Sequence, residues 1–497
     1  MTISTELRAS LQNNFGFDQF RGGQEQTIQQ LLAGQSSLAI FPTGSGKSLC
    51  YQFTALHLPH VTLVVSPLLA LIKDQLEFLA DKGILAASID STLTGEQSQQ
   101  VMSDVRSGKI KILMVSVERF KNERFRQFIN AVPISMLVVD EAHCISEWGH
   151  NFRPDYLKLP TYCQELNIPL VLLLTATATK KVKNDMAAKF AIATEHIVQT
   201  GFYRKNLDLT VLPVSENEKL QTLLQQLAHQ QQIFATEGLS ASDSNKAVSG
   251  IVYVTLQHTA EKVAAYLQGA GINAVAYHAG FESDKRQQIQ NDFMMGTISV
   301  VVATIAFGMG IDKSDIRFVM HYDLPKSIEN YSQEIGRAGR DGQRSNCITL
   351  ANLDGLNTVE NFVYGDTPER SAIEYLLENI RQESKPSARE KEVSEWELQV
   401  VGLSNASNIR QLPLKTLLVQ LEMMKVIKPM YAYFAEFKYK FLQDKESILA
   451  MFEGERSAFL NAIFSTSQFK KVWGAPDFEA LFNTYQCDRS RVITALD

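Results

Sequence analysis

Five short apolar runs recur along the first part of this chain: SLAIF (37–41), TLVVS (62–66), IKILMV (110–115), ISMLVVD (134–140) and LVLLLT (170–175). Each is too continuous for a half-exposed antiparallel strand and too short for a helix, so each reads as a buried strand. The stretches between them, such as LLALIKDQLEFLADK and ATKKVKNDMAAKFAI, carry the period of amphipathic helices. Strand and helix in alternation dictate a parallel sheet covered on both faces. A second set follows, GIVYV (250–254), NAVAY (273–277), ISVVVA (298–303), IRFVM (316–320) and CITLA (347–351), again with helical stretches such as TAEKVAAYLQGAG between. Two α/β units in tandem are expected, over residues 1–205 and 206–355. The small, polar stretch FATEGLSASDSNKAV (234–248) reads as a surface loop or insertion.

After about residue 355 the texture changes. PERSAIEYLLENIRQESKPSAREKEVSEWELQVVGL is helical and charged, and NIRQLPLKTLLVQLEMMKVIKPMYAYFAEFKYKFL gives an amphipathic helix, a turn and alternating aromatics. A mostly helical C-terminal region, 356–497, is expected. Around 385–442 it suits a winged-helix-like unit, a pattern that many small α+β domains share. The stretch PMYAYFAEFKYK (429–440) could form a wedge-like hairpin, although an ordinary amphipathic strand is the simpler reading.

Composition narrows the class. With 497 residues, 45% hydrophobic and 21% charged, the chain has material for several buried cores. No run approaches the roughly 18 apolar residues of a membrane span, so no membrane partner is expected. The opening MTISTELRASLQNNFGF has neither a basic nor an apolar signal region. The five cysteines are far apart with no CxxC pair, so a cytoplasmic location and no structural zinc are expected. The net charge of −6 means that any nucleic-acid site must be a local patch on an acidic body.

Three motifs carry the chemistry. FPTGSGKS (41–48) sits between the first strand and the helix SLCYQFTAL. Phe41 stands where a strict phosphate-loop pattern has glycine, but the working core is intact. Around Thr43 and Ser45, Gly44 and Gly46 let successive N–H groups turn inward as an anion nest. Lys47 can reach terminal phosphates, and Ser48 can hold Mg2+. DEAH (140–143) ends an apolar strand, so Asp140 can complete the Mg2+ site and Glu141 can place and deprotonate a water. QEIGRAGRDG (333–342) offers Arg337 and Arg340 on a glycine-spaced turn, either as an arginine finger or as a solvated basic loop. ATP and Mg2+ are the expected cofactors. Immediately after the carboxylates comes CISEWGHNFRPDY, in which aromatics and an arginine crowd a polar loop.

Eight ordered blocks, FGFDQFRGGQ, PTGSGKS, VVSPLLALIKDQ, DEAHCISEWGHNFRP, TATAT, YHAG, ATIAFGMGIDK and QEIGRAGRDG, resemble the RecQ family of superfamily 2 DNA helicases. The resemblance covers roughly residues 10–350. It implies two RecA-like domains that close on ATP. It also implies that Phe17, Arg21 and Gln24 hold adenine, Gln24 by its amide and the others by stacking, although Phe17 could equally pack a helix. Lys47, Ser48, Asp140, Glu141 and His143 match the hydrolytic set, with His143 coupling nucleotide state to neighbouring motifs. Arg340 matches the arginine finger, with Arg337 beside it. The aromatic loop matches the family's single-stranded DNA contact, and Trp148, Phe152 and Arg153 are its candidates. Stacking of bases on such rings is worth about 1–3 kcal/mol each. Single-stranded and partial-duplex DNA, 3′ to 5′ movement, and roles in recombination and repair are implied by the same resemblance.

The chain departs from the family at Gly22 (usually Pro), Asn151 (usually Asp) and SVER (116–119, usually SPER). After residue 350 it also lacks the four cysteines that usually bind zinc, so zinc is not carried over. Three other functions fit the same motifs: a translocase that does not separate strands, an RNA helicase, and a DNA-binding scaffold with an idle nucleotide site.

Overall fold

The computed structural model describes every residue except 1–4, 68, 91, 147–152, 202–203, 237–247, 308–312, 355, 357–359, 361–366, 387–393, 430–437, 471, 488 and 497. Two compact units result, residues 1–119 with 132–420, and residues 120–131 with 421–497.

The first unit holds two parallel sheets. The strands of the first are β1 (Ser37–Ile40), β2 (Val61–Val65), β3 (Ala86–Ile89), β4 (Ile112–Val115), β5 (Ile134–Val139), β6 (Val171–Thr175) and β7 (Ile197–Gln199), in spatial order β3-β4-β2-β5-β6-β1-β7. The second has β8 (Leu207–Pro213), β9 (Gly250–Tyr253), β10 (Ala274–Tyr277), β11 (Val300–Ala303), β12 (Phe318–His321) and β13 (Ser345–Ala351), in order β10-β11-β9-β12-β13-β8. Every apolar run read as a strand lies in one of them. β1, β2, β4, β5 and β6 are buried along their whole length, as their unbroken hydrophobicity requires. The helices Leu69–Asp81, Lys180–Lys189 and Gln257–Gly269 occupy stretches expected to be helical.

Each sheet is wrapped by its own core. Leu11 and Phe15 of α1 (Thr5–Phe15), Ile28 of α2 (Gln24–Leu32) and Phe53 of α3 (Ser48–His57) pack against the first sheet. Leu223, Leu227 and Phe234 do the same on the second.

Beyond the sheets the chain is mainly helical. Residues 385–442, where a winged-helix-like unit was expected, hold the paired dipeptides Lys385–Pro386 and Ser394–Glu395 and the helices Val400–Ser407 and Gln411–Met423. The longer antiparallel pair lies later, Gln468–Lys470 with Trp473–Ala475, bridged by Tyr439 to Gly474. It packs with the helix Glu455–Thr466 through Tyr439, Phe441, Phe464 and Phe469. Most of the hairpin expected at 429–440 lies outside the described residues. Among the described residues, no helix is long and apolar enough to cross a membrane.

Candidate nucleotide site

The site starts where β1 ends. Phe41 is fully buried and donates its N–H to Thr175 O at 3.1 Å. The chain then turns through Gly44 at φ +81° and Gly46 at φ +75°, angles that side chains rarely adopt. Space imposes the same choice at Gly46, where a Cβ would lie 2.8 Å from Gln24 Nε2. Lys47 returns to helical geometry and heads α3, and its Nζ donates to Phe41 O at 3.2 Å. Burial pushes the Lys47 pKa below the usual lysine range, while Glu141 and Asp140 pull it back.

The carboxylates stand at the end of β5. Asp140 donates its N–H to Val65 O at 2.9 Å, and its carboxylate accepts from Ser66 Oγ at 3.3 Å and from the Glu141 N–H at 3.0 Å. Burial, reinforced by the neighbouring Glu141, lifts the Asp140 pKa to about 6. Glu141 lies in the left-handed region, φ 48° and ψ 47°, which costs a non-glycine residue about 1–2 kcal/mol. His143 is 2% exposed, its Nδ1 3.0 Å from Thr175 Oγ1 and 3.3 Å from Glu141 Oε2. Thr175 Oγ1 donates in turn to Thr177 O at 3.0 Å. Glu141 is thereby joined to the end of β6. Burial opposes a charge on His143, but hydrogen bonds to Cys144 and Glu141 outweigh it and raise its pKa to about 10.

The two arginines of the second half differ in placement. A Cβ built on Gly44 would lie 3.4 Å from Arg340 Cγ, so Arg340 lies along the phosphate loop. Gly336 is equally close, its Cβ position 3.2 Å from Thr43 Cβ. Arg337 is instead buried within the second half and hydrogen-bonds the Tyr253 hydroxyl.

Gln24 is buried and its amide is fully engaged. It donates to Ser45 O at 3.0 Å and Gly46 O at 2.9 Å, and accepts from the Arg21 N–H at 2.8 Å. Phe17, 41% exposed, and Arg21 stand open to solvent beside it. Arg153 is half-buried, with Nη1 3.8 Å from Glu118 Oε1 and its N–H on Cys144 O. Trp148 and Phe152 lie outside the described residues. Arg204 and Asn206, outside every motif of the sequence, bond the turn carrying Arg340 at Gly336 O and Gly339 O. Nothing local in the sequence marks either.

The residues present fit an ATP–Mg2+ pair. A glycine cradle, a buried ammonium and two hard oxygen donors, the Ser48 hydroxyl and the Asp140 carboxylate, are the donor chemistry such a ligand requires. Among the described residues, no group of three or more His, Cys, Asp or Glu gathers as a further metal site.

Known proteins resemble this chain. Residues 21–185 match the DEAD/DEAH box helicase family and 219–342 the helicase conserved C-terminal domain. The ATP-dependent DNA helicase RecQ of Haemophilus influenzae is 39% identical over 74% of this chain and 57% of its own length. The "Probable ATP-dependent DNA helicase RecS" of Bacillus subtilis is 39% identical over 70% of this chain and 67% of its own. S. cerevisiae Dbp5 bound to RNA and ADP BeF3 shares the fold, with a TM-score of 0.54 at 19% identity over 73% of this chain and 92% of that one. The chain thus spans a little under three fifths of the Haemophilus relative. Its two sheets are RecA-like domains, and the chain belongs to the RecQ family of helicases.

Proposed function

We propose that this chain is an ATP-driven, Mg2+-dependent DNA helicase motor that moves 3′ to 5′ on single-stranded DNA and opens duplexes during recombination and repair. The observation that carries the reading is the meeting of Arg340 with Gly44, which sets a cation of the second half against the phosphate loop of the first. Residues 1–205 form the ATP-binding domain, 206–355 the second motor domain and 356–497 a mostly helical C-terminal region. A cytoplasmic protein, on the nucleoid in a bacterium, goes with that substrate.

Each group has a task. Phe17 and Arg21 stack on adenine, and Gln24 reads its edge by exchanging bonds that it now makes to Ser45 and Gly46. The N–H groups around Thr43, Gly44, Ser45 and Gly46 cradle the phosphates, and Lys47 neutralises their charge. Ser48 and Asp140 would hold Mg2+, which supplies further neutralisation of the triphosphate. Glu141 orients and deprotonates the attacking water. Arg340 stabilises charge developing on the transferred phosphoryl group, and buried Arg337 supports its turn. His143 and Thr175 relay the state of Glu141 to the loop that follows, where Trp148, Phe152 and Arg153 hold single-stranded DNA. Phosphate contacts and stacking make stepping largely independent of sequence.

Strand displacement on matched duplexes with a 3′ or a 5′ tail tests this. Only the 3′-tailed duplex should open, and Glu141→Gln should slow ATP turnover by about 10²–10⁴-fold. DNA-stimulated hydrolysis without opening of either duplex would leave a translocase instead.

A further inference from the structure

The turn Gly336–Gly342 has to be held still if Arg340 is to reach a phosphate. It follows the helix Ile328–Ile335, whose carbonyls at Ser332, Glu334 and Ile335 accept from the N–H groups of Gly336, Arg337 and Ala338. The carbonyls of the turn itself are met by Arg204. Its Nη1 donates to Gly336 O at 3.0 Å and its Nη2 to Gly339 O at 2.5 Å, so one planar fork spans both ends of the turn's first half. Asn206 adds donations to Gly339 O at 2.9 Å and Gln343 O at 2.8 Å. The position of Arg204 suits a helix C-terminus, where a cation opposes the negative end of the helix dipole.

Arg204 belongs to neither sheet. It lies between β7 and β8, in the connector that joins the two halves. The same side chain lines a small cavity with Thr43 of the phosphate loop and Thr177. Thr177 O is the acceptor for Thr175, which touches His143. Among the described residues no carboxylate forms an ion pair with Arg204, so its partly desolvated guanidinium is devoted to backbone carbonyls. Burial accordingly lowers its pKa. Such a fork matches two fixed carbonyls, which a lysine ammonium can only meet as a point charge.

We propose that Arg204, aided by Asn206, is a positioning residue: it anchors the turn of the arginine finger to the interdomain connector and so sets the reach of Arg340 toward the γ-phosphate. This rests on the reading of Arg340 as that finger. ATP binding itself does not need Arg204, because the phosphate loop and Gln24 are held by other bonds.

The test is steady-state ATP hydrolysis with saturating oligo-dT on the full chain, beside binding of a fluorescent ADP analogue and thermal melting. Arg204→Gln should lower kcat by about 10–100-fold, the scale of an ångström's misplacement. KM for ATP and ADP affinity should move by less than about threefold, since uniform binding is untouched. Arg204→Lys, the conservative change should the first variant fold poorly, should fall between Arg204→Gln and wild type. In an Arg340→Lys background Arg204→Gln should add little, because both act through one group. A kcat within twofold of wild type, or a full multiplicative loss on top of Arg340→Lys, would overturn the proposal. So would a loss confined to KM, ADP affinity or melting temperature. Wild-type protein without DNA-stimulated turnover would instead sink the motor reading, and that result is visible before any variant is made.

Discussion

The two α/β halves are built alike and equipped differently. Adding seven to each strand number of the first sheet, its extra edge strand β7 set aside, turns the order β3-β4-β2-β5-β6-β1 into β10-β11-β9-β12-β13-β8, the order of the second. Lys47 heads the helix after β1 and Asp140 follows β5. The matching positions of the second half are Lys219, heading the helix Lys219–Thr236 after β8, and Asp323, just past β12. In the first half the loop glycines carry the lysine to Phe41 O. In the second, Lys219 Nζ lies 2.8 Å from Asp323 Oδ1, while Asp323 Oδ2 accepts from the Thr255 N–H at 2.8 Å. A direct ion pair thus joins the two groups. In the proposed reading the same cation and carboxylate hold a ligand in one half and form a structural pin in the other.

The sharpest challenge to this division is Arg340→Ala. It should lower kcat by about 10³-fold or more, as for an arginine finger, although the residue belongs to the half whose own site is closed. Nearly normal turnover would break the comparison. Next comes the pin. Lys219 is 5% exposed and Asp323 21%, so Lys219→Met should cost about 1–3 kcal/mol in denaturant unfolding by leaving a half-buried carboxylate without its cation. Adding Asp323→Leu should recover much of that loss, and KM for ATP should stay unchanged in both. The smallest effect belongs to β8. Leu209 is 58% exposed, so Leu209→Ala should shift unfolding by less than about 0.5 kcal/mol, whereas every residue of β1 is buried.

What the sequence disclosed follows the same line. The central strands were legible because burial on both faces leaves an unbroken apolar run. β3, β7 and β8 escaped notice, as their sequences AASI, IVQ and LDLTVLP belong to sheet edges that are partly exposed. The phosphate loop and Asp140–Glu141 were legible because each motif is local and its chemistry is fixed by residue type. Contacts across long stretches of chain were not. Arg204 meets Gly336 across 132 residues, and Gln24 meets Ser45 across 21, with no pattern in either segment to announce it. The split between Arg337 and Arg340 was likewise invisible in GRAGR, since only the packing around Tyr253 makes one of them internal.

Glu141 sits at a backbone angle that glycine adopts at little cost and a glutamate does not. The position is therefore one where endurance and catalysis pull in opposite directions. Selection for heat resistance alone would tend to replace the carboxylate, and only selection for turnover would keep it. A consensus built from thermostable variants of this chain would then be a poor guide to a working enzyme at this residue.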